Sequence, residues 1–340
     1  MMKKKKTTMF WGAIYVIALI TVIVIVYVLP SVAGLFDRSY VAKYGSVEVK
    51  DDTEGYIVRN EFVYTAGKSG TVKRSVTEGE LVKGKTKVVR ISGEGASSAS
   101  TKYNAILKKM KKEETVISTD NGNNELPGYI TYKLDGLEYL NSDNIFNMSE
   151  TEFEKLENPK LRELADGKVA KGEPIFKVIE NGSWWYIFYA DSETAKHYTK
   201  GQNVKIAVGD KNMNAVVVGL HKGKGKDTRV ILRCRQYFDG FTTGRQEKAE
   251  ITAASSDGVV ILTKSIVNKN GRQGVITKDK IGRLRFKAIS VKANNGEKAA
   301  VYENIYMDSK GNYVKTISTY DEVVKSPSKG DIKKAEDVSK

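Results

Sequence analysis

The chain has 340 residues and a formal charge of +15, from 56 Lys and Arg against 41 Asp and Glu. Its one cysteine, Cys234, excludes an intramolecular disulfide framework, and only one apolar run reaches spanning length, so the chain alone cannot line a helical pore. Basic residues do not alternate with aromatics as in a nucleic-acid groove, so no nucleic acid is expected; the basic excess reads first as a lysine-rich solvated surface, with lipid headgroups or anionic wall polymers as the acidic counterparts otherwise open to it.

In chain order, Lys3, Lys4, Lys5 and Lys6 precede an uncharged run over residues 7–28 that Pro30 closes. At about 1.5 Å per residue this is enough helix for a hydrocarbon core of about 30 Å. Trp11, Tyr15, Ile20, Val24 and Tyr27 are its anchoring residues, with the aromatics near the two ends. The short lysine-rich side predicts a cytoplasmic N-terminus: a basic tail at 1–8, a transmembrane helix at 9–29, and the bulk outside the cell membrane. A cleaved export signal, cut near Ser31-Val32-Ala33, is the competing reading, but the run exceeds the roughly 7 to 15 residues of an export core. Either way the bulk is exported.

Residues 30–52 read as a stalk. From Gly55 short runs of valine, isoleucine and aromatics alternate with Gly67, Gly70, Gly79 and Gly84, which predicts strands with tight turns. Residues 93–127 differ: a small, flexible start, a lysine-rich helix over 103–114 and an Asn121-Gly122-Asn123-Asn124 turn, read as a short helical insert. Strand signals resume at Tyr129-Ile130-Thr131-Tyr132, and residues 149–164 read as helical behind the capping-box pattern Ser149-Glu150-Thr151-Glu152. In Trp184-Trp185-Tyr186-Ile187-Phe188-Tyr189 both faces of a strand are apolar, so both should be buried, as core rather than as a ligand platform.

Three segments echo one another. Lys83-Gly84-Lys85, Lys171-Gly172-Glu173 and Lys200-Gly201-Gln202 each lead into a strand, and Val82 and Val169 precede the first two turns. Two similar β half-motifs separated by an insert imply halves that pack together, because neither alone could bury its apolar face. Further strands follow, joined by Asn270-Gly271, Asn295-Gly296 and Lys310-Gly311-Asn312 turns. The apolar phase slips between Phe286, Ala288 and Ile289, Val291, predicting a bulge near Ala288, and residues 325–340 read as a polar, disordered tail.

These segments resemble a family. Gly70-Thr71-Val72 through Glu78-Gly79-Glu80-Leu81-Val82-Lys83-Gly84 is similar to the first half of the lipoyl-like barrel-sandwich hybrid of membrane fusion proteins, the periplasmic adaptors of the haemolysin D (HlyD) type. Gly167-Lys168-Val169-Ala170-Lys171-Gly172-Glu173-Pro174-Ile175-Phe176 resembles the returning half, and Pro127-Gly128-Tyr129-Ile130 with Asp135-Gly136-Leu137-Glu138 the re-entry segment. Tyr198-Thr199-Lys200-Gly201-Gln202 resembles the start of the family's β-barrel, and Phe286-Lys287-Ala288-Ile289 part of its membrane-proximal domain. The resemblance implies a mainly β fold with one N-terminal transmembrane helix: a barrel-sandwich hybrid at 53–92 and 128–190, the insert at 93–127, a β-barrel at 191–253 and a membrane-proximal-like β domain at 254–324. Gly70, Gly79, Val82, Gly84, Gly128, Gly172, Phe176, Trp184 and Gly201 are its expected structural motif residues. Two departures stand out. The insert is too short for a long coiled-coil hairpin, which fits a short-hairpin, Gram-positive type that does not bridge to an outer membrane, and Thr263 replaces the proline that often opens the last domain.

Catalytic chemistry is not expected. Lys111 lacks the tight hairpin of a lipoylated lysine, and Gly223-Lys224-Gly225-Lys226-Asp227-Thr228 lacks phosphate-loop spacing. His197 and His221 have no ligand partners at metal spacing, and Asp51-Asp52 and Glu113-Glu114 read as solvated charge. No cofactor or metal is expected. The sequence therefore predicts an anchored adaptor, not an enzyme, that self-associates and assembles with an ABC-type or other inner-membrane transporter for export or efflux. The alternative is a cell-envelope scaffold that takes no part in transport and joins cell-wall synthesis or division proteins.

Overall fold

The computed structural model describes residues 38–156, 160–223 and 227–339. Trp11, Tyr15, Ile20, Val24 and Tyr27, and with them the expected transmembrane helix, lie outside the described residues. Among those that are described, no helix is long and apolar enough to cross a membrane. The chain forms two compact units, Val49–Ala254 and a second made of residues 38–48 and 255–339.

In the Val49–Ala254 unit the organising element is the Pro174–Ala190 strand. Along one edge it pairs antiparallel with the Lys43–Ala66 strand, Phe176 opposite Tyr64 and Tyr186 opposite Ile57. Its other edge is divided: Lys177 to Glu180 pair with Gly128–Thr131, and Trp184 to Ala190 pair with Thr228–Cys234. The register with the Lys43–Ala66 strand breaks between Ile179 and Trp184, so the four residues 180–183 form a bulge facing Asn60.

Each half of the long strand serves its own core. Tyr64, Val72, Val82, Ile130, Val169, Ile175, Phe176 and Val178 form one cluster, in which the Tyr64 and Phe176 rings stack with centroids 4.5 Å apart. A small sheet of Lys168–Val169, Gly70–Arg74 and Val89–Ser92 closes over it. Downstream, the alternation of the aromatic run divides it as period two requires. Trp184, Tyr186 and Phe188 join Ile206, Val217, Leu232 and Ile251 of the barrel strands, while Trp185 and Ile187 pack on Leu137, Leu140, Ile145 and Phe153.

The insert folds back onto this body. Its helix, Asn104–Lys112, is about 14 Å long at ~1.5 Å per residue. It buries Ile106, Leu107 and Met110 against Val63, Leu134 and Leu164, and the Val116–Thr119 strand then pairs parallel with Val63 to Ala66.

In the second unit, Arg272–Lys278 lies between Leu284–Ala288 and Glu322–Val324, and Ser39–Val41 pairs with the latter. Asn270 and Gly271 both take positive φ, 53° and 76°, as a two-residue hairpin turn demands. A two-stranded ribbon, Ile305–Met307 with Tyr313–Lys315, lies over this sheet.

Four expectations are corrected. The stalk at 30–52 is strand from Ser39 onward, its alternating charges having concealed an edge pattern with Ala42, Val47 and Val49 buried. Helix over 149–164 stops at Glu154; the capping box at Ser149 and Glu152 is present, but Arg162–Glu163 forms a strand with Lys133–Leu134. The phase slip near Ala288 is not a bulge. The chain changes partners there, Leu284–Ala288 pairing with Arg272–Lys278 and Val291–Asn294 with Lys298–Val301. The tail at 325–340 is ordered through 339: Ser328 and Asp331 cap a Lys329–Lys334 helix, and Glu336–Asp337 pairs parallel with Arg285 and Phe286. Its polar composition hid one buried residue, Ala335, and one buried acceptor, the Ser339 hydroxyl, which takes the Ala288 amide at 2.6 Å.

Candidate functional site

Six charged side chains are buried together in the Val49–Ala254 unit: Arg59, Glu61, Asp135, Glu138, Lys177 and Arg245. Arg59 and Glu61 share one face of the Lys43–Ala66 strand and lie on either side of the register break, where the bulge opens space that close strand pairing would fill. Lys177 reaches them from the neighbouring strand. Asp135 and Glu138 come from the loop after Lys133–Leu134, and Arg245 from the residue before the Gln246–Leu262 strand.

Glu61 is the hub. Its carboxylate accepts from Arg59 Nε at 2.6 Å, Lys177 Nζ at 2.9 Å and Arg245 Nη2 at 3.0 Å. Arg245 also donates to Asp135 from Nε at 3.0 Å and from Nη2 at 2.8 Å, and Lys177 reaches Glu138 at 3.3 Å. Glu138 accepts the backbone amides of Asp135 and Gly136, at 2.5 and 2.9 Å, which folds the loop around it. The Arg59 guanidinium donates to the Phe241 carbonyl and lies 5.4 Å from that residue's ring centre.

Three basic and three acidic side chains face one another. Burial opposes ionisation of Glu61 and Asp135, yet Arg245, with Arg59 and Lys177 around it, outweighs that and holds both below the usual carboxylate range. Glu138 has only Lys177 close by, so burial wins and pushes it up. Oxygens of Glu61, Asp135 and Glu138 lie within 4.8 Å of one another, a spacing that could hold a cation. Lys177 and Arg245 already neutralise that site with covalently attached cations. The arrangement therefore suits a clamp between segments 59–61, 135–138, 177 and 245 rather than proton or metal chemistry.

The expected motif residues sit around this clamp, not in it. Val82 and Phe176 share one buried cluster, and Trp184 lies in the barrel core with its Nε1 donating to the Gln236 carbonyl at 2.7 Å. Gly79, Gly172 and Gly201 turn the chain at positive φ. At Gly84 the left-handed residue is instead Lys85, and Gly84 makes room for the Glu125 carbonyl. Gly128 is needed for close approach, since a Cβ there would stand 2.2 Å from the Ile179 carbonyl oxygen. Gly70 begins its strand pressed against Ile91. Asp135 and Glu138 stand in the re-entry segment the sequence singles out, but the grouping of the six charges escaped sequence reading although a signal existed: Lys177 interrupts Ile175-Phe176-Lys177-Val178-Ile179, and Arg59 and Glu61 interrupt the run from Ile57 to Tyr64.

Asp51 is not simply solvated charge. It accepts from the Tyr198 hydroxyl at 2.6 Å and faces His197 Nδ1 at 3.1 Å. Cys234 is buried, which pushes its thiol up to about 12 and leaves it unreactive.

Residues 61–180 match the family model described as RND related, barrel-sandwich hybrid domain, and residues 184–255 the one described as RND related, beta-barrel domain. Together they span more than half of the chain. The chain belongs to the RND-related membrane fusion proteins, adaptors of the haemolysin D type. Membership of this adaptor family points to a structural, non-enzymatic part. Solved structures similar to the chain include MacA from Actinobacillus actinomycetemcomitans, with 10% identity, TM-score 0.41, and 85% of this chain and 99% of that one covered. Another is the membrane fusion protein Spr0693 from Streptococcus pneumoniae R6, with 8% identity, TM-score 0.29, and coverage of 59% and 98%. No curated protein sequence matches the chain.

Proposed function

We propose that this membrane fusion protein is a single-pass adaptor, with its N-terminus in the cytoplasm and its bulk outside, that assembles with copies of itself and with a membrane transporter to organise export or efflux. The order of parts carries the reading: a lysine-flanked apolar run over residues 7–28, then the matched barrel-sandwich hybrid, then the matched barrel. Crosslinking in intact membranes followed by purification tests it. Oligomers recovered with a transporter are expected; monomer alone, with no transporter, overturns it. Protease shaving of intact cells checks topology, since digestion should spare only the N-terminal segment.

One observation favours a second reading, a cell-envelope scaffold without a transport role that positions wall-synthesis or division proteins. The insert's single nine-residue helix packs on its own body instead of projecting as a hairpin. Such an insert suits a single-membrane, Gram-positive envelope. Recovery of wall or division proteins in place of a transporter from the same crosslinking would select it.

A further inference from the structure

In the ribbon of the second unit, Ile305 stands opposite Lys315, Tyr306 opposite Val314, and Met307 opposite Tyr313. Alternation turns Tyr306 and Val314 inward, where they pack with Phe286, Val324 and Ala335. It turns Ile305, Met307 and Tyr313 outward, where they are 50%, 64% and 75% exposed. An antiparallel pair with one buried face ordinarily carries polar residues on the other. Here Lys315 alone interrupts an apolar outer face, and exposed Lys310 stands at the turn, which Asp308 fixes by accepting the Lys310 and Asn312 amides at 2.9 and 2.8 Å.

The place where the described chain begins bears on what covers this face. The Arg38 guanidinium pairs with Asp331 at 3.1 Å, and its carbonyl accepts the Lys325 amide. Asp331 belongs to the Lys329–Lys334 helix, whose Ile332, with Ala335 just beyond, packs in the same cluster as Tyr306 and Val314. The chain thus joins this unit beside the layer on which the ribbon lies. Val28, the end of the apolar run, and Arg38 are ten Cα–Cα steps apart in sequence, a reach of at most about 36 Å.

We propose that the outer face of this ribbon lies in the lipid–water interface of the membrane that holds the N-terminal segment, with Ile305, Met307 and Tyr313 among the upper acyl chains and Lys310 and Lys315 at anionic headgroups. The chemistry fits that zone: a tyrosine with an apolar body and a polar tip, two aliphatic neighbours, and flanking lysines. The proposal rests on the anchored reading above.

The test uses the full chain with Met307→Cys, labelled with an NBD maleimide while buried Cys234 stays unlabelled, in nanodiscs of phosphatidylglycerol and phosphatidylcholine. Brominated acyl chains should cause about a two-fold loss of emission, as suits a probe ~5–10 Å into the headgroup boundary, with aqueous iodide excluded. Tyr313→Cys, also on the outward face, should report the same depth. Emission equal in plain and brominated discs, with iodide quenching intact, overturns the proposal. So does shielding from both quenchers, which would mean that a protein surface covers the face. Co-elution with the discs separates the two readings: bound protein without lipid quenching sinks the ribbon proposal alone, and protein that never joins the discs sinks the anchor and the ribbon with it.

Discussion

Lys177 sits in a strand that is otherwise apolar on both sides of it, and it survives there because Glu61 and Glu138 reach it. Removing one member of such a group leaves the others charged and buried. Glu61→Gln, which strips Arg59, Lys177 and Arg245 of their shared partner, should cost about 3–5 kcal/mol in urea unfolding. Acid should act on the same residues. Glu61 and Asp135 have folded pKa values below their unfolded ones near 4, so their contribution is complete above about pH 5 and drains away as pH falls. Glu138, raised by burial, contributes in the opposite sense, present below its unfolded pKa and lost as pH rises. Two carboxylates against one predict a urea midpoint that drops between about pH 5 and pH 2. A midpoint that is flat over that range would contradict the ion pairs described. At this scale the turn glycines were legible because positive φ selects a residue type, whereas the clamp was not, because its members come from four distant segments.

Between elements, the Pro174–Ala190 strand decides most of the architecture. Its alternation was readable in Trp184 to Tyr189, since each side chain's face follows from period two alone. The division of its other edge between two partner strands was not, because pairing is a choice among many strands of similar composition. Phe176→Ala, which removes the ring stacked on Tyr64, should destabilise the Val49–Ala254 unit by about 3–5 kcal/mol, measured by chemical denaturation. A loss under about 1 kcal/mol would mean that the two half-motifs do not depend on that core. The insert divides the same way: its length was plain from the sequence, but its docking depends on Met110 finding Val63 and Leu164.

For the whole molecule, the order of modules was legible because turn glycines punctuate each strand-rich stretch, while the C-terminal residues were not, because a short capped helix and a two-residue strand leave little apolar signal. Deleting residues 326–340 removes the Ser339 hydroxyl from the Ala288 amide and the strand beside Phe286. The unit containing them should lose about 2–4 kcal/mol. Hydrogen exchange at Ala288 checks this: unchanged protection in the truncated chain would show that the terminal segment adds nothing.

A single strand that belongs to two cores is also a mechanical part. Traction applied at the barrel end would be borne in shear by the seven rungs from Trp184 to Ala190 and passed along one backbone to the rungs around Phe176. Residues 181–183, where the rungs are interrupted on both edges, are the compliant link in that line, so the two modules would stretch in series, with give concentrated at one known place.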